Sequence, residues 1–334
     1  MTCIPRILIT GATGAVGPLV VNALHEEGYS IRTLSIDRPT VGLWPDDAEV
    51  LIGDVTNSDC VQAAMQGVDA VIHLAALLHI DNPPISLKEK YEKINVGGTA
   101  NVVSKAVQAG VSRVVFFSTI AIYGQSSGRI LTEDTIPNPD TFYSQTKYAA
   151  ERIVLEAKGL DGRQIGTVLR FGAIYGARIK GNYQRLLQAL VKGRFIPIGD
   201  CTNRRTLVYD KDVARAAVLA LMHPLAAGKI FNVSDGNIHL LKDIISTMCK
   251  VVGRQSPRFA LPVISTRFAV GIVEHFARLS GIKPPISRAT IDKFTEDMAV
   301  DSSRIQKVLG FIPHYDLLAG WQDAVQEMKQ SGIL

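Results

Sequence analysis

Tyr143 and Lys147 stand four residues apart, and side chains at that spacing share one face of a helix. A phenol with its ordinary pKa of ~10 is a poor base at neutral pH. A neighbouring ammonium and an oxidised nicotinamide ring would both favour the phenolate and lower that pKa. The pair is therefore suited to moving a proton while a hydride moves. Lys147 can also hold a ribose hydroxyl and fix the ring beside a substrate. Upstream, Thr119 offers a hydroxyl that can position a substrate oxygen and share its proton, with Ser118 as the neighbouring alternative. Taken alone, Tyr-x-x-x-Lys reads better as an exposed helix face; its company changes that.

The company is a glycine loop. Ile7-Leu8-Ile9-Thr10 runs into Gly11-Ala12-Thr13-Gly14-Ala15-Val16-Gly17, where a strand turns into a helix. Glycine allows the tight turn and lets backbone N–H groups approach a pyrophosphate, and the helix N-terminus adds partial positive charge. By itself the spacing also fits a plain strand–helix turn; at the opening of a βαβ unit it predicts a dinucleotide site. Asp37 lies about twenty residues beyond the last glycine, at the end of the second strand, where a carboxylate can accept from both adenosine ribose hydroxyls. It would repel a 2′-phosphate, so NAD is favoured over NADP, while Arg38 beside it is able to pair with such a phosphate. Asp54-Val55 can take the adenine amino group and pack its ring; Asp54 reads equally as a helix N-cap. His73-Leu74-Ala75-Ala76 ends a strand with small residues and leaves room for a flat cofactor. His73 and His79 read as packing or loop residues, and no metal site is expected, because no second histidine or carboxylate joins them at ligand spacing.

The elements that must position these groups alternate. Strands are predicted over 6–10, 30–36, 49–53, 70–74, 114–118 and 164–170, and helices over 14–27, 57–66, 86–109 and 142–158. This rhythm specifies an α/β fold with a doubly wound parallel sheet, whose strand ends build the site. After Arg170 the rhythm changes. Prolines and glycines become frequent, and helices over 183–192, 213–222 and 242–252 mix with short strands such as 229–233. The expected organisation is a dinucleotide-binding domain over 1–170, to which segments near 200–230 return. A smaller, discontinuous α/β substrate-binding domain is expected over 171–330. The tail from Lys329 is expected to fray.

Bulk properties narrow the classes. A chain of 334 residues suffices for one large domain or two unequal ones. The formal charge of +5 is mild and its basic residues are spread, which argues against a nucleic-acid surface. Cys3, Cys60, Cys201 and Cys249 are far apart, predicting reduced thiols and a cytoplasmic location rather than a disulfide scaffold or zinc site. No signal core is read, and no apolar run approaches the ~20 residues of a spanning helix. The nearest, 261–279, is broken by Arg267, Glu274, His275 and Arg278. It is expected to be an amphipathic core or lid helix, with a membrane-surface helix as the alternative.

Together these residues resemble an extended short-chain dehydrogenase/reductase, most of all the nucleotide-sugar epimerase/dehydratase group. The matching segments cover nearly the whole chain: Thr10–Gly17, Asp37, Gly53–Val55, His73–Ala76, Asn95–Thr99, Phe117–Gly124, Tyr143–Lys147, Leu169–Gly176, Arg205–Ala214 and Phe231–Gly236. The resemblance implies a Rossmann-type fold and NAD. It implies catalytic roles for Thr119 (four residues before the Tyr of Tyr123-Gly124), for Tyr143 as acid/base and for Lys147 as its partner. Cofactor contacts are implied for Gly11, Thr13, Gly14, Ala15, Val16, Asp37, Arg38, Asp54, Val55, Leu74, Ala75, Ala76, Asn95, Ser118, Tyr143, Lys147 and Phe171. Substrate contacts are implied for Thr119, Asn182 and Arg205, the last two on the diphosphate of a UDP-sugar, where a guanidinium fork suits phosphate oxygens. The residues alone also allow a helix N-cap at Asn182 and a surface ion pair at Arg205.

The activity implied is C4 epimerisation of a nucleotide sugar, UDP-glucose 4-epimerase-like, through a 4-keto intermediate. Segments 76–84 and 284–296 depart from a plain UDP-galactose epimerase. The second resembles 4-keto-sugar reductases and the 3β-hydroxysteroid dehydrogenase-like branch, so NAD(P)-dependent net redox on the same machinery is the alternative. A non-catalytic dinucleotide sensor would not need the Thr119/Tyr143/Lys147 relay. A 4,6-dehydratase would show Asp-Glu after the catalytic threonine, where this chain has Ile120-Ala121. The resemblance also implies a homodimer paired through helices near 95–109 and 144–158.

Overall fold

The computed structural model describes residues 4–80, 83–279 and 288–334. Its first half runs β1 (Arg6–Thr10), α1 (Gly17–Glu26), β2 (Ser30–Ser35), β3 (Glu49–Ile52), α2 (Ser58–Ala64), β4 (Ala70–His73), α3 (Lys88–Tyr91), α4 (Gly98–Gln108), β5 (Arg113–Thr119), α5 (Phe142–Glu156) and β6 (Gly166–Phe171). The second half adds β7 (Ala173–Tyr175), α6 (Asn182–Val191), β8 (Arg204–Arg205), β9 (Leu207–Tyr209), α7 (Asp210–Met222), β10 (Lys229–Val233) and β11 (His239–Leu240). It closes with α8 (Leu241–Val251), α9 (Val263–Leu279), α10 (Arg288–Thr295), α11 (Ser303–Leu309) and α12 (Leu317–Gln330).

Seven strands form one parallel sheet in the order β10-β6-β5-β4-β1-β2-β3. The chain direction across the sheet reverses between β1 and β4, and open α/β sheets gather ligands at the carboxyl ends of the strands there. Alternation along the strands makes two cores. Ile7, Ile9, Ile72, Val115, Phe117 and Leu169 face α1 and α7; Leu8, Val71, Val114, Phe116 and Val168 face α2, α4 and α5. A third core joins α6, α8 and α12 around Tyr175, Leu187, Tyr209, Ile244, Met248 and Trp321.

Three expectations need correction. The helix predicted from 14 begins only at Gly17, because successive turns (Gly14 N–H to Gly11 O 3.0 Å, Gly17 N–H to Gly14 O 3.2 Å) use the intervening residues as a loop. The single helix predicted over 86–109 is a 3-10 turn, α3, a π-helical turn over Glu92–Gly97, and α4. The tail does not fray at Lys329: burial of Trp321, Val325 and Met328 anchors α12, and Ile333 N–H donates to Met328 O at 2.8 Å. Among the described residues no helix is long and apolar enough to cross a membrane.

Candidate active site

The glycines divide their work. Gly11 sits at φ +73°, and a Cβ there would lie 2.6 Å from Ala75 N, so the turn after β1 can press against the end of β4 only as glycine. A Cβ on Gly17 would lie 2.0 Å from Ala12 O, so the third glycine lets α1 close on the loop. Gly14 meets only Gly11 O, at 3.1 Å. No side chain caps α1, and the N–H groups of Ala15 and Val16 meet no acceptor among the described residues. Free donors at a helix N-terminus beside an open glycine fit a pyrophosphate.

Asp37 and Arg38 are exposed just beyond β2, which ends at Ser35 rather than at Asp37. Thr13 N–H donates to Ser35 Oγ at 3.3 Å and ties the loop to this edge. Asp54 is not the helix cap: its Oδ1 accepts from Thr56 N–H at 2.8 Å, and Asn57 caps α2 instead. Val55 is buried against Gly98, where a Cβ would come within 2.7 Å of its Cγ2. Leu74, Ala75 and Ala76 remain half-buried at the end of β4.

Asn95, expected to touch the cofactor, is spent on the protein. Its Oδ1 accepts from Leu77 N–H (2.7 Å), and its Nδ2 donates to Leu77 O and to Thr146 Oγ1 (both 3.1 Å). The π-helical turn thus presents a clamp that fixes the β4 loop to α5, and the amide has no N–H left for a ligand. Phe171 is buried against Phe117, with ring centroids 4.6 Å apart, which leaves only its backbone for a cofactor.

His73 is a packing residue with a defined proton. Thr99 donates its hydroxyl to Asn95 O at 2.6 Å, so His73 Nε2–H must donate to Thr99 Oγ1 (3.0 Å) while Nδ1 accepts from Thr10 (2.6 Å). Burial first, and then the charge of Lys147, push the imidazole pKa down to about 3. Between that value and the ordinary one near ~6.5, the unfolded chain binds the extra proton, so stability falls as pH falls, by about 1.4 kcal/mol per unit. Denaturant unfolding of the wild type and His73→Gln from pH 6.5 towards 4 should show a shallower acid loss in the variant. Equal slopes would refute the assignment.

Lys147 is buried, and its Nζ lies 4.2 Å over the ring of Phe116 with no hydrogen bond among the described residues. Burial pushes its pKa down to about 7, against the attraction of Glu151. Tyr143 is half-buried on the same face of α5, and its hydroxyl has no protein partner among the described residues. Burial, helped by Tyr91, pushes the phenol up to about 12, opposite to the lowering expected from the Tyr/Lys spacing. The same burial that raises the phenol discharges the lysine, so the protein alone does not favour a phenolate. Added positive charge, such as an oxidised nicotinamide carries, is what the pair still needs.

The choice between the two hydroxyls is made by strand alternation. Ser118 is buried and donates to Glu151 Oε1 at 2.5 Å, so it is not free to serve as the alternative. Thr119, half-buried at the mouth of β5, accepts from Ala121 N–H at 3.1 Å and keeps its own proton to give.

Behind this site lies a buried network centred on Glu151, which the sequence patterns do not single out. Arg170 grips both carboxylate oxygens of Glu151 (Nη2 to Oε2 2.6 Å) and donates to Tyr123 OH (2.9 Å), which donates to Asn232 Oδ1 (2.8 Å). Burial opposes the Arg170 charge, but Glu151 and Tyr123 outweigh it and hold its pKa above the ordinary value. The available signal was Glu151 standing four residues after Lys147, hence on the same helix face.

On the substrate side, Gly181 precedes α6 and Asn182 is its exposed first residue, so Asn182 is not the N-cap. The charge of Arg205 is felt at Tyr183, the residue after Asn182, and at Glu296. Instead of a surface ion pair, Arg205 Nη2 donates to the carbonyls of Lys293 (2.8 Å) and Phe294 (3.0 Å) at the end of α10. Lys293 Nζ lies 3.0 Å from His79 Nε2, and the His79 ring meets Tyr143 edge-on at 6.0 Å. Helix α10 therefore spans from the acid/base residue to Arg205. Residues 284–287 of the divergent segment lie outside the described residues.

A doubly wound sheet with a glycine loop at its switch point, Thr119 at the end of β5 and the Tyr143/Lys147 pair on α5 defines a dinucleotide-dependent enzyme of the extended short-chain dehydrogenase/reductase type. The profile of the NAD dependent epimerase/dehydratase family matches residues 7–234, and the chain belongs to this family. The UDP-glucose 4-epimerase of Vibrio cholerae is 28% identical over 335 residues, covering 97% of this chain and 96% of that protein. An N-acetyl-alpha-D-glucosaminyl-diphospho-ditrans,octacis-undecaprenol 4-epimerase of Escherichia coli O157:H7 is 26% identical over 323 residues, covering 96% and 94%. The structure of UDP-glucose 4-epimerase from Thermotoga maritima with UDP-glucose superposes with a TM-score of 0.77 at 22% identity, covering 98% of this chain and 100% of that one, and shares the fold.

Proposed function

We propose that this enzyme epimerises a nucleotide sugar, of the UDP class, at C4 through a transient 4-keto sugar. The observation that carries the reading is a set of unspent groups: the Thr119 hydroxyl, the Tyr143 hydroxyl and, one turn along the same helix, the buried Lys147 amine. Bound on that loop, NAD supplies a hydride acceptor that is afterwards the donor. Tyr143 takes the C4 hydroxyl proton and later returns one, Thr119 orients the C4 oxygen, and Lys147 holds a ribose hydroxyl. Asn182 and Arg205 grip the diphosphate, leaving the sugar ring free to turn. The 4-epimerase relatives, which span nearly the whole chain, support this reading; 3 beta-hydroxysteroid dehydrogenase relatives, 26% identical over 92% of the chain, keep net redox as its rival.

The reading includes a cytoplasmic homodimer. A groove of about 350 Å³ between the α3–α4 segment and α5, lined by Lys88, Glu92, Val96, Phe142, Gln145 and Ala149, supports pairing there. Incubation with a panel of UDP-sugars and trace NAD, followed by proton NMR and by cofactor absorbance, tests the activity. Inversion at C4 without accumulating reduced cofactor is expected. Accumulated NADH would replace the reading with a dehydrogenase or reductase, and inertness towards every nucleotide sugar would remove it.

A further inference from the structure

Helix α9 is inside out. Its inner face carries Val263, Thr266, Val270, Glu274 and Ala277, buried or half-buried. The two charged residues of the stretch 263–277 both turn to α10: Arg267 pairs with Asp292 and Glu274 with Arg288, each at 2.9 Å. The outward face is apolar. Ile264, Phe268, Ile272 and Phe276 recur every four residues, and Ile264, Phe268 and Phe276 are 86%, 72% and 63% exposed. Phe259, 85% exposed, and Leu261 extend the stripe into the loop before the helix. An ordinary surface helix buries such a stripe and shows its charges to water.

The chain leading into the stripe is basic. From Ile244 to Val273 the chain carries Lys250, Arg254, Arg258 and Arg267 and no acidic residue. Lys250, Arg254 and Arg258 are exposed. The loop after α6, with exposed Lys192, Arg194 and Ile196, is tied to the same edge by Leu261 N–H to Pro197 O and Gly199 N–H to Leu261 O, both 2.8 Å. With Arg267 paired to Asp292, the free cations gather at the leading end of the ridge, beside exposed Asp200. An apolar ridge with a basic end suits an interfacial helix, whose apolar side enters the acyl boundary while its basic end meets anionic headgroups.

We propose that α9 and its leading loop form a docking surface for an anionic lipid bilayer, on which the protein lies without spanning. Docking sets α10, and with it the Lys293–His79 side of the active site, next to the bilayer. The test is co-sedimentation of the full chain with vesicles of phosphatidylcholine alone, or mixed equally with phosphatidylglycerol, at low and high salt. The expected result is binding to the mixed vesicles, weakened by salt, and reduced at least ~10-fold in Phe268→Glu/Phe276→Glu with an unchanged melting temperature. No binding to the mixed vesicles, or equal binding by the double variant, would overturn the proposal. So would sedimentation velocity showing that the substitutions dissolve a self-association while neither form meets lipid, since the stripe would then cover a second copy. Should the double variant not fold, Ile264→Ser with Phe268→Ser replaces it under the same criteria.

Discussion

Tyr143→Phe is expected to lower turnover by about 10²–10⁴-fold, the range that a positioned acid/base supplies. Cofactor affinity should hardly change, because the loop donors, Asp37 and Lys147 are untouched and the phenol has no hydrogen bond to lose among the described residues. The site's electrostatics sharpen the expectation. With the phenol pushed up to about 12 and the lysine down to about 7, the free protein holds Tyr143 protonated across the physiological range. A cation brought by the cofactor lowers the phenol pKa. An ultraviolet difference titration should therefore show a tyrosine ionising at lower pH when NAD is present, and Tyr143→Phe should delete that transition. Retained turnover in the variant would mean that another group carries the proton.

The second large effect lies behind the site. Glu151 and Arg170 form an ion pair whose side chains are 1% and 2% exposed. Removing one member leaves an unpaired buried charge, at a cost of about 3–5 kcal/mol. Glu151→Leu or Arg170→Met alone should move the denaturant midpoint accordingly, while the double replacement should recover most of the loss. Single variants that unfold like the wild type would show the pair to be solvated. The network also takes in Ser118, Tyr123 and Asn232, which lie in segments that read as signatures of site chemistry. In the folded protein those residues lock β5, β6, β10 and α5 together, so that Thr119 and Tyr143 keep their places.

How much of this was legible in the sequence follows the range of the physics involved. Strand–helix alternation, the glycine loop and the Tyr/Lys spacing are local patterns, so the doubly wound sheet and the place of its site could be read directly. Four decisions depended on the assembled fold. Ser118 is withdrawn from catalysis by Glu151, 33 residues on, and Asn95 becomes a clamp through Thr146, 51 residues on. The Tyr143 shift runs opposite to the expected direction because i, i+4 spacing gives proximity but not desolvation, which the packed core imposes on both partners. For 261–279 the sequence determined a helix with an apolar stripe. Only the tertiary structure decided which face that stripe turns outward, because α10 offers Asp292 and Arg288 to the charged side and, among the described residues, none covers Ile264, Phe268 or Phe276.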